Sequence, residues 1–89
     1  MLIAKVIGNV VATQKNPSLV GSKLLIVQPL KILEEQKDDK PIIAIDSIGA
    51  GIGETVLVTT GSSARNVSRQ DSVADAAVVG IVDSREIKQ

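Results

Sequence analysis

The chain has 89 residues, 44% of them hydrophobic, and its ten Lys and Arg side chains balance ten Asp and Glu side chains. This length suits one small domain, which we expect to span residues 1–89 without a linker. A formal net charge of zero argues against nucleic acid or an anionic membrane as a partner. The absence of Cys and His excludes disulfides and argues against a zinc site, and we expect no metal and no cofactor.

The composition also restricts catalysis and location. With no His, Cys or Tyr, only carboxylates, Lys, Arg and Ser or Thr remain for chemistry, so an enzyme is disfavoured. The N-terminal stretch "MLIAKVIGNVVATQK" has neither a basic start nor a small-residue cleavage site, so it does not resemble a signal peptide. No apolar run approaches the length of a membrane span. We expect a cytoplasmic protein.

Short β-branched runs bounded by turn residues predict five strands, at about 2–13, 22–30, 41–46, 55–60 and 76–87. Gly8 and Gly80 interrupt the first and last strands, where glycine often marks a bulge. The charged stretch 31–41 is typical of a solvated hairpin loop or one frayed helical turn. The polar stretch 62–72 predicts one short helical turn, with Ser62 or Ser63 as its N-cap. Five strands and one short helix indicate an all-β fold, a small closed or partly open barrel.

The strands lack the alternation of apolar and polar residues that a half-exposed sheet shows. The runs 24–27, 42–45 and 78–82 instead place apolar side chains on both faces. One short helix cannot cover the outside of a barrel, and leaving these faces in water is costly and prone to aggregation. We therefore infer that neighbouring subunits cover them in an obligate oligomer.

The stretch "DSIGAGIGETVLVTT" carries Gly49, Gly51 and Gly53 between two predicted strands. Its G-x-G-x-G spacing is not that of a nucleotide-binding loop, and it leads into a strand rather than a helix N-terminus. We favour a tight connection with positive-φ positions or a close approach of two backbones. A β-branched side chain is poorly tolerated at either, so we expect Gly51→Val to disrupt assembly. A small oligomeric barrel that binds an anion or nucleotide with this loop remains the alternative.

Three further motifs are candidates for chemistry. "GSSAR" at 61–65 offers a Ser nucleophile but no neighbouring base, so a helix cap and a pairing Arg are the better interpretation. Asp46 and Glu54 flank the glycines as a carboxylate pair, and we expect them to accept hydrogen bonds from loop amides rather than to catalyse. Barrels that bind oligonucleotides combine a basic groove with aromatic side chains that stack on the bases. This chain has no net positive charge and no aromatic residue, so neither feature supports that function.

The stretches "AKVIGNVVAT", "LVGSKLLIVQP", "AIDSIGAGIGETVLVTTGSSAR" and "DAAVVGIVD" follow one another in the order and spacing of a known family. Nearly end to end, the chain resembles the EutN/CcmL family of bacterial microcompartment vertex proteins. The resemblance implies an oligonucleotide-binding-like barrel that assembles as a homopentameric ring without enzymatic activity. It also implies a place at the vertices of a polyhedral shell, beside hexameric shell proteins that tile the facets.

The resemblance also suggests where the ring's important residues lie. For the pore or five-fold axis it implies Gly49, Ala50, Gly51, Ile52, Gly53 and Glu54. For the subunit interface it implies Asp46, Gly61, Ser62, Ser63, Ala64 and Arg65. The stretches "ATQKNPSLVGSKLL" and "GSSAR" look closer to members from catabolic metabolosomes than to carboxysome members. The expected location is therefore the shell of a bacterial microcompartment in the cytoplasm.

Overall fold

A computed structural model contains the five predicted strands. They are β1 (Leu2–Val10), β2 (Lys23–Pro29), β3 (Ile42–Asp46), β4 (Thr55–Thr60) and β5 (Ala76–Ile81). The first and last strands are shorter than predicted, because Val11 and Val82 already lie outside them. The structure describes residues 1–11, 16–17, 23–31, 40–61 and 75–83. The predicted helical turn over 62–72 and most of the predicted loop over 31–41 lie outside these ranges.

The strands close into a barrel in the order β1-β2-β3-β5-β4, with β4 pairing back to β1. All neighbours are antiparallel except β3 and β5, which run parallel and share the single registered pair Ile45 and Ala77. Closure pairs every strand with two neighbours, so the sheet has no edge strand. The predicted all-β barrel is confirmed.

A bulge lies beside each of the two strand glycines. The register of β1 against β2 shifts between Val6 and Gly8, so Ile7 has no partner on β2. The register of β4 against β5 shifts in the same way, and Val79 is passed over between Val78 and Gly80. A bulge adds one residue to a strand and increases its local twist, which helps a narrow sheet to close. The expected link between these glycines and barrel bends is confirmed.

The barrel interior is filled by small and medium aliphatic side chains. Leu25, Val6, Val27, Val56, Val58 and Val78 are its largest fully buried side chains. Alanines at 4, 44, 50 and 76 complete the cluster. A five-stranded barrel has a narrow interior, and side chains of this size fill it without aromatic residues.

The outer wall of the barrel is also apolar. Ile7, Ile43 and Ile81 are 48%, 54% and 40% exposed. A second buried cluster, Ile45 and Ala77 with the half-buried Leu24, lies apart from the barrel core. The prediction that these strands carry apolar residues on both faces is therefore confirmed. Within the described ranges, no helix has the length and apolarity needed to cross a membrane.

Candidate functional site: the loop between β3 and β4

The loop from Asp46 to Glu54 begins with a buried carboxylate. Asp46 is the last residue of β3 and is only 3% exposed. Its Oδ1 accepts the backbone N–H of Ile48 at 3.0 Å, and its Oδ2 accepts that of Ala50 at 2.8 Å. One side chain thus fixes the first half of the loop, because hydrogen bonds to an ionised carboxylate are stronger than neutral ones.

The second half of the loop is a turn closed by Glu54. The N–H of Gly51 donates to Glu54 Oε1 at 2.7 Å. The N–H of Glu54 donates in return to the carbonyl oxygen of Gly51 at 3.1 Å. The sequence prediction that both flanking carboxylates serve loop amides is confirmed, and both acidic side chains have a structural use.

The loop is also tied to the barrel wall. The N–H of Gly53 donates to the carbonyl of Val6 at 2.8 Å, and the N–H of Val6 donates to the carbonyl of Glu54 at 2.9 Å. These bonds extend the pairing of β4 with β1 to the two residues that precede β4. The loop conformation is therefore specified within a single chain.

Ala50 lies inside the barrel and Lys23 holds its backbone. The Ala50 side chain is fully buried and belongs to the core cluster. Its carbonyl oxygen accepts a hydrogen bond from Lys23 Nζ at 3.0 Å. Lys23 reaches it because the register of β2 against β3 pairs Lys23 with Asp46. Lys23 is not among the residues that the sequence predicts for this site, since a lysine at the start of an apolar strand looks like an ordinary solvated end.

Two loop glycines have a backbone that other residues rarely adopt. Gly49 has φ of 89° and Gly53 has φ of 93°. L-residues with a Cβ are strained in this region, so glycine is the natural choice. Gly51 does not share this conformation, and among the described residues a Cβ there would meet only Glu54 Oε1, at 3.4 Å. The expectation of positive φ therefore holds for Gly49 and Gly53 and is wrong for Gly51.

The loop presents apolar side chains to its surroundings. Ile48 is 47% exposed and Ile52 is 63% exposed, on either side of the buried Ala50. The backbone N–H groups at 48, 50, 51 and 53 already donate within the chain. Because these amides already donate, they do not form the run of free N–H groups that a phosphate-binding loop presents, and the exposed isoleucines favour apolar contact.

The remaining predicted residues lie elsewhere. Gly61 follows β4, at the opposite end of that strand from the loop, and its N–H donates to the carbonyl of Asp75 at 2.8 Å. Ser62, Ser63, Ala64 and Arg65 lie outside the described residues. In the part of the chain that the structure describes, no cluster of acidic residues is arranged to hold a metal ion. Asp46 as an intersubunit contact stays a prediction.

Fold and loop together define a small structural barrel with an apolar, prearranged loop and an apolar wall. Residues 1–83 match the family model described as ethanolamine utilisation protein EutN/carboxysome. The chain is 52% identical to the bacterial microcompartment shell vertex protein GrpN of Rhodospirillum rubrum over 97% of each chain. It is 49% identical to the shell vertex protein PduN of Salmonella typhimurium, over 94% of this chain and 97% of PduN.

A solved structure agrees with these sequence matches. The GrpN pentameric microcompartment shell protein from Rhodospirillum rubrum superposes with a TM-score of 0.83 at 50% identity, and the match covers 100% of both chains. This chain belongs to the EutN/CcmL family of bacterial microcompartment shell vertex proteins. It is a structural shell protein and not an enzyme.

Proposed function

We propose that this chain assembles as a homopentamer and occupies the vertices of a polyhedral microcompartment shell. The similarity to pentameric GrpN, which covers the whole length of both chains, carries this proposal. A ring of identical barrels buries the apolar outer wall that an isolated chain leaves in water. The proposed partners are hexameric shell proteins, because hexagons tile a flat facet and a five-fold unit is needed where facets close.

Native mass spectrometry at low protein concentration tests the pentamer. We expect one dominant species of five chains, since exposed isoleucines on several strands disfavour a free monomer. A stable monomer, or a ring of another size, would contradict the proposal. Incubation with hexameric shell proteins then tests the vertex role. Closed polyhedral particles by electron microscopy should require this chain, and particles that close equally well without it would count against the role.

We further propose that the loop from Gly49 to Glu54 lies at the five-fold axis. Its conformation is fixed before assembly, which lowers the entropic cost of bringing five copies together. Its glycines and the inward-pointing Ala50 leave little side-chain bulk to obstruct close approach. Ile52 is more exposed than Ile48, the other exposed isoleucine of the loop, and would then face its copies across the axis.

The natural absence of Cys makes this placement testable with single substitutions. Disulfide-linked Cα atoms are at most about 6.8 Å apart, so copies of one residue link in a five-fold ring only within about 6 Å of the axis. We expect Ile52→Cys to form linked chains on oxidation. Ile43→Cys is the matched control, an isoleucine of similar exposure at the start of β3 and so at the other end of the barrel. Pentamers of Ile52→Cys that never cross-link would place the loop away from the axis.

The compartment is proposed to be a metabolosome rather than a carboxysome. The identity of 52% with GrpN and 49% with PduN exceeds the 47% and 44% found with the carboxysome vertex proteins CcmL of Synechocystis sp. and Synechococcus elongatus. EutN of Salmonella typhimurium is also 44% identical, so the similarity favours a GrpN- or PduN-like shell in particular. This chain can be co-expressed with the hexameric proteins of a GrpN- or PduN-like shell, or with those of a carboxysome. We expect closed particles with the hexamers of the GrpN- or PduN-like shell. Closure only with carboxysome hexamers would overturn this assignment.

A further inference from the structure

Two apolar strips cross the outer wall of the barrel. The β2 strip consists of Gly8, Ile26 and Ile43, which are successive register partners on β1, β2 and β3. Ile26 lies against the glycine, since a Cβ on Gly8 would be 3.4 Å from Ile26 Cδ1. Ile43 is 54% exposed beside it. Both isoleucines also line an open groove of about 730 Å3.

The β4 strip has the same construction on another part of the wall. It consists of Ile3, Leu57 and Gly80, which are register partners on β1, β4 and β5. Leu57 lies against its glycine, and a Cβ on Gly80 would be 3.6 Å from Leu57 Cδ1. All three residues are half-buried in the isolated chain. Each strip thus joins a large aliphatic side chain to a strand glycine that follows a bulge.

Between the strips, the outer face of β1 carries one charged side chain, Lys5. The bulged Ile7 is also exposed on this strand. Neither strip contains a charged residue. The groove beside Ile26 and Ile43 is also lined by Asp75, which is exposed in the isolated chain. The wall therefore presents two uncharged apolar surfaces on either side of Lys5.

A closed ring of more than two identical chains joins two different surfaces of each chain. We propose that the β2 strip of one copy packs against the β4 strip of a second copy of this chain, and that this contact is repeated around the ring. The groove at Ile26 and Ile43 receives the ridge formed by Leu57. This inference rests on the proposed pentamer, and it assigns that ring's interface to two particular surfaces.

The contact also orients each subunit. β2 and β4 are the two neighbours of β1, so the arc between them is shorter across β1 than across β3 and β5. The axis of a ring lies on the side of the shorter arc between the two contact surfaces. β1 therefore faces the five-fold axis, and Lys5 on its outer face points toward the central opening. The loop is consistent with this orientation, because Gly53 and Glu54 are bonded to Val6 on β1.

Paired cysteines test the contact in this Cys-free chain. We expect the double variant Ile43→Cys/Leu57→Cys to give covalent oligomers of up to five chains on oxidation, read on a non-reducing denaturing gel. Each single variant should remain uncross-linked, because neither position meets its own copy. A double variant that is pentameric by native mass spectrometry yet gives no ladder would overturn the interface. Cross-linking of either single variant would also overturn it. A wild-type chain that is not pentameric would instead reject the proposed function.

A second pair of variants covers the case in which the cysteines themselves prevent assembly. Ile26→Asp places a charge at the centre of the β2 strip, and the pentamer signal should be lost while circular dichroism still reports the β-barrel. Lys5→Gln, on the adjacent strand but between the strips, should leave the pentamer unchanged. Retention of the pentamer by Ile26→Asp would overturn the proposal, and so would its loss in Lys5→Gln.

Discussion

The loop from Asp46 to Glu54 and the outer barrel wall both depend on glycine, but for different physical reasons. In the loop, Gly49 and Gly53 are required by their positive φ, and no described residue lies within 4 Å of an added Cβ. In the wall, Gly8 and Gly80 have no positive φ, and a large aliphatic side chain lies against each. The loop is therefore held by backbone geometry and polar bonds, whereas the wall is shaped by apolar packing. Substitutions in the loop should therefore lower the stability of the chain, whereas substitutions in the wall should mainly weaken the pentamer.

The largest effect is expected at Asp46, the carboxylate that holds the loop. Asp46→Ala removes two hydrogen bonds and leaves the N–H of Ala50 buried without a partner. We expect the free energy of unfolding to fall by about 3 kcal/mol. Urea denaturation of both proteins at one chain concentration measures it, because assembly makes stability depend on concentration.

Two further variants define the cause of that loss. Asp46→Asn keeps an oxygen acceptor and should lie between wild type and Asp46→Ala. Asp83→Ala, which removes an exposed carboxylate after β5, should change stability by less than about 0.5 kcal/mol. If Asp46→Ala unfolds at the wild-type urea concentration, then the carboxylate does not fix the loop.

The next effect separates two glycines of the same loop. Gly49→Ala should cost about 1–2 kcal/mol, because alanine is strained at φ of 89°. Gly51→Ala should cost less than about 0.5 kcal/mol, since its added Cβ meets only a carboxylate oxygen of a flexible side chain. Thermal unfolding of the two variants under one condition makes the comparison. Equal losses would show that φ does not decide which loop glycine is essential.

A smaller effect is expected at Lys23. Lys23→Met keeps the length of the side chain but removes its bond to the carbonyl of Ala50. One hydrogen bond from a solvent-accessible lysine contributes no more than about 1 kcal/mol. Hydrogen exchange should show faster opening at the amides of Ala50 and Gly51, with strand amides unchanged. Lys31→Met, at an exposed lysine after β2, is the control and should leave exchange in the loop as it was.

The sequence predicted the strands better than it predicted the loop. Residue type and the spacing of turn signals were enough for five strands, the barrel and the bulges at Gly8 and Gly80. Lys23 could not be found in this way, because its place near Ala50 depends on the register of β2 against β3. Composition also gave no sign that Ala50 points into the core, since "GAG" is compatible with a small residue facing either way.

A small effect on the isolated barrel is also expected at the wall, and it gives the sharpest contrast with the loop. The space above Gly80 is an ordinary van der Waals distance from Leu57, so Gly80→Ala should change the stability of the chain by less than about 1 kcal/mol. The added methyl group nevertheless raises the outer surface beside Leu57, which the proposed ring buries against a second copy of the chain. Native mass spectrometry over a dilution series should therefore show the Gly80→Ala pentamer dissociating at higher concentration than the wild-type pentamer.

Gly49→Ala should show the reverse order, with a larger loss of chain stability than of pentamer affinity. If Gly80→Ala weakens the chain as much as Gly49→Ala does, the distinction between a geometric and a packing glycine fails.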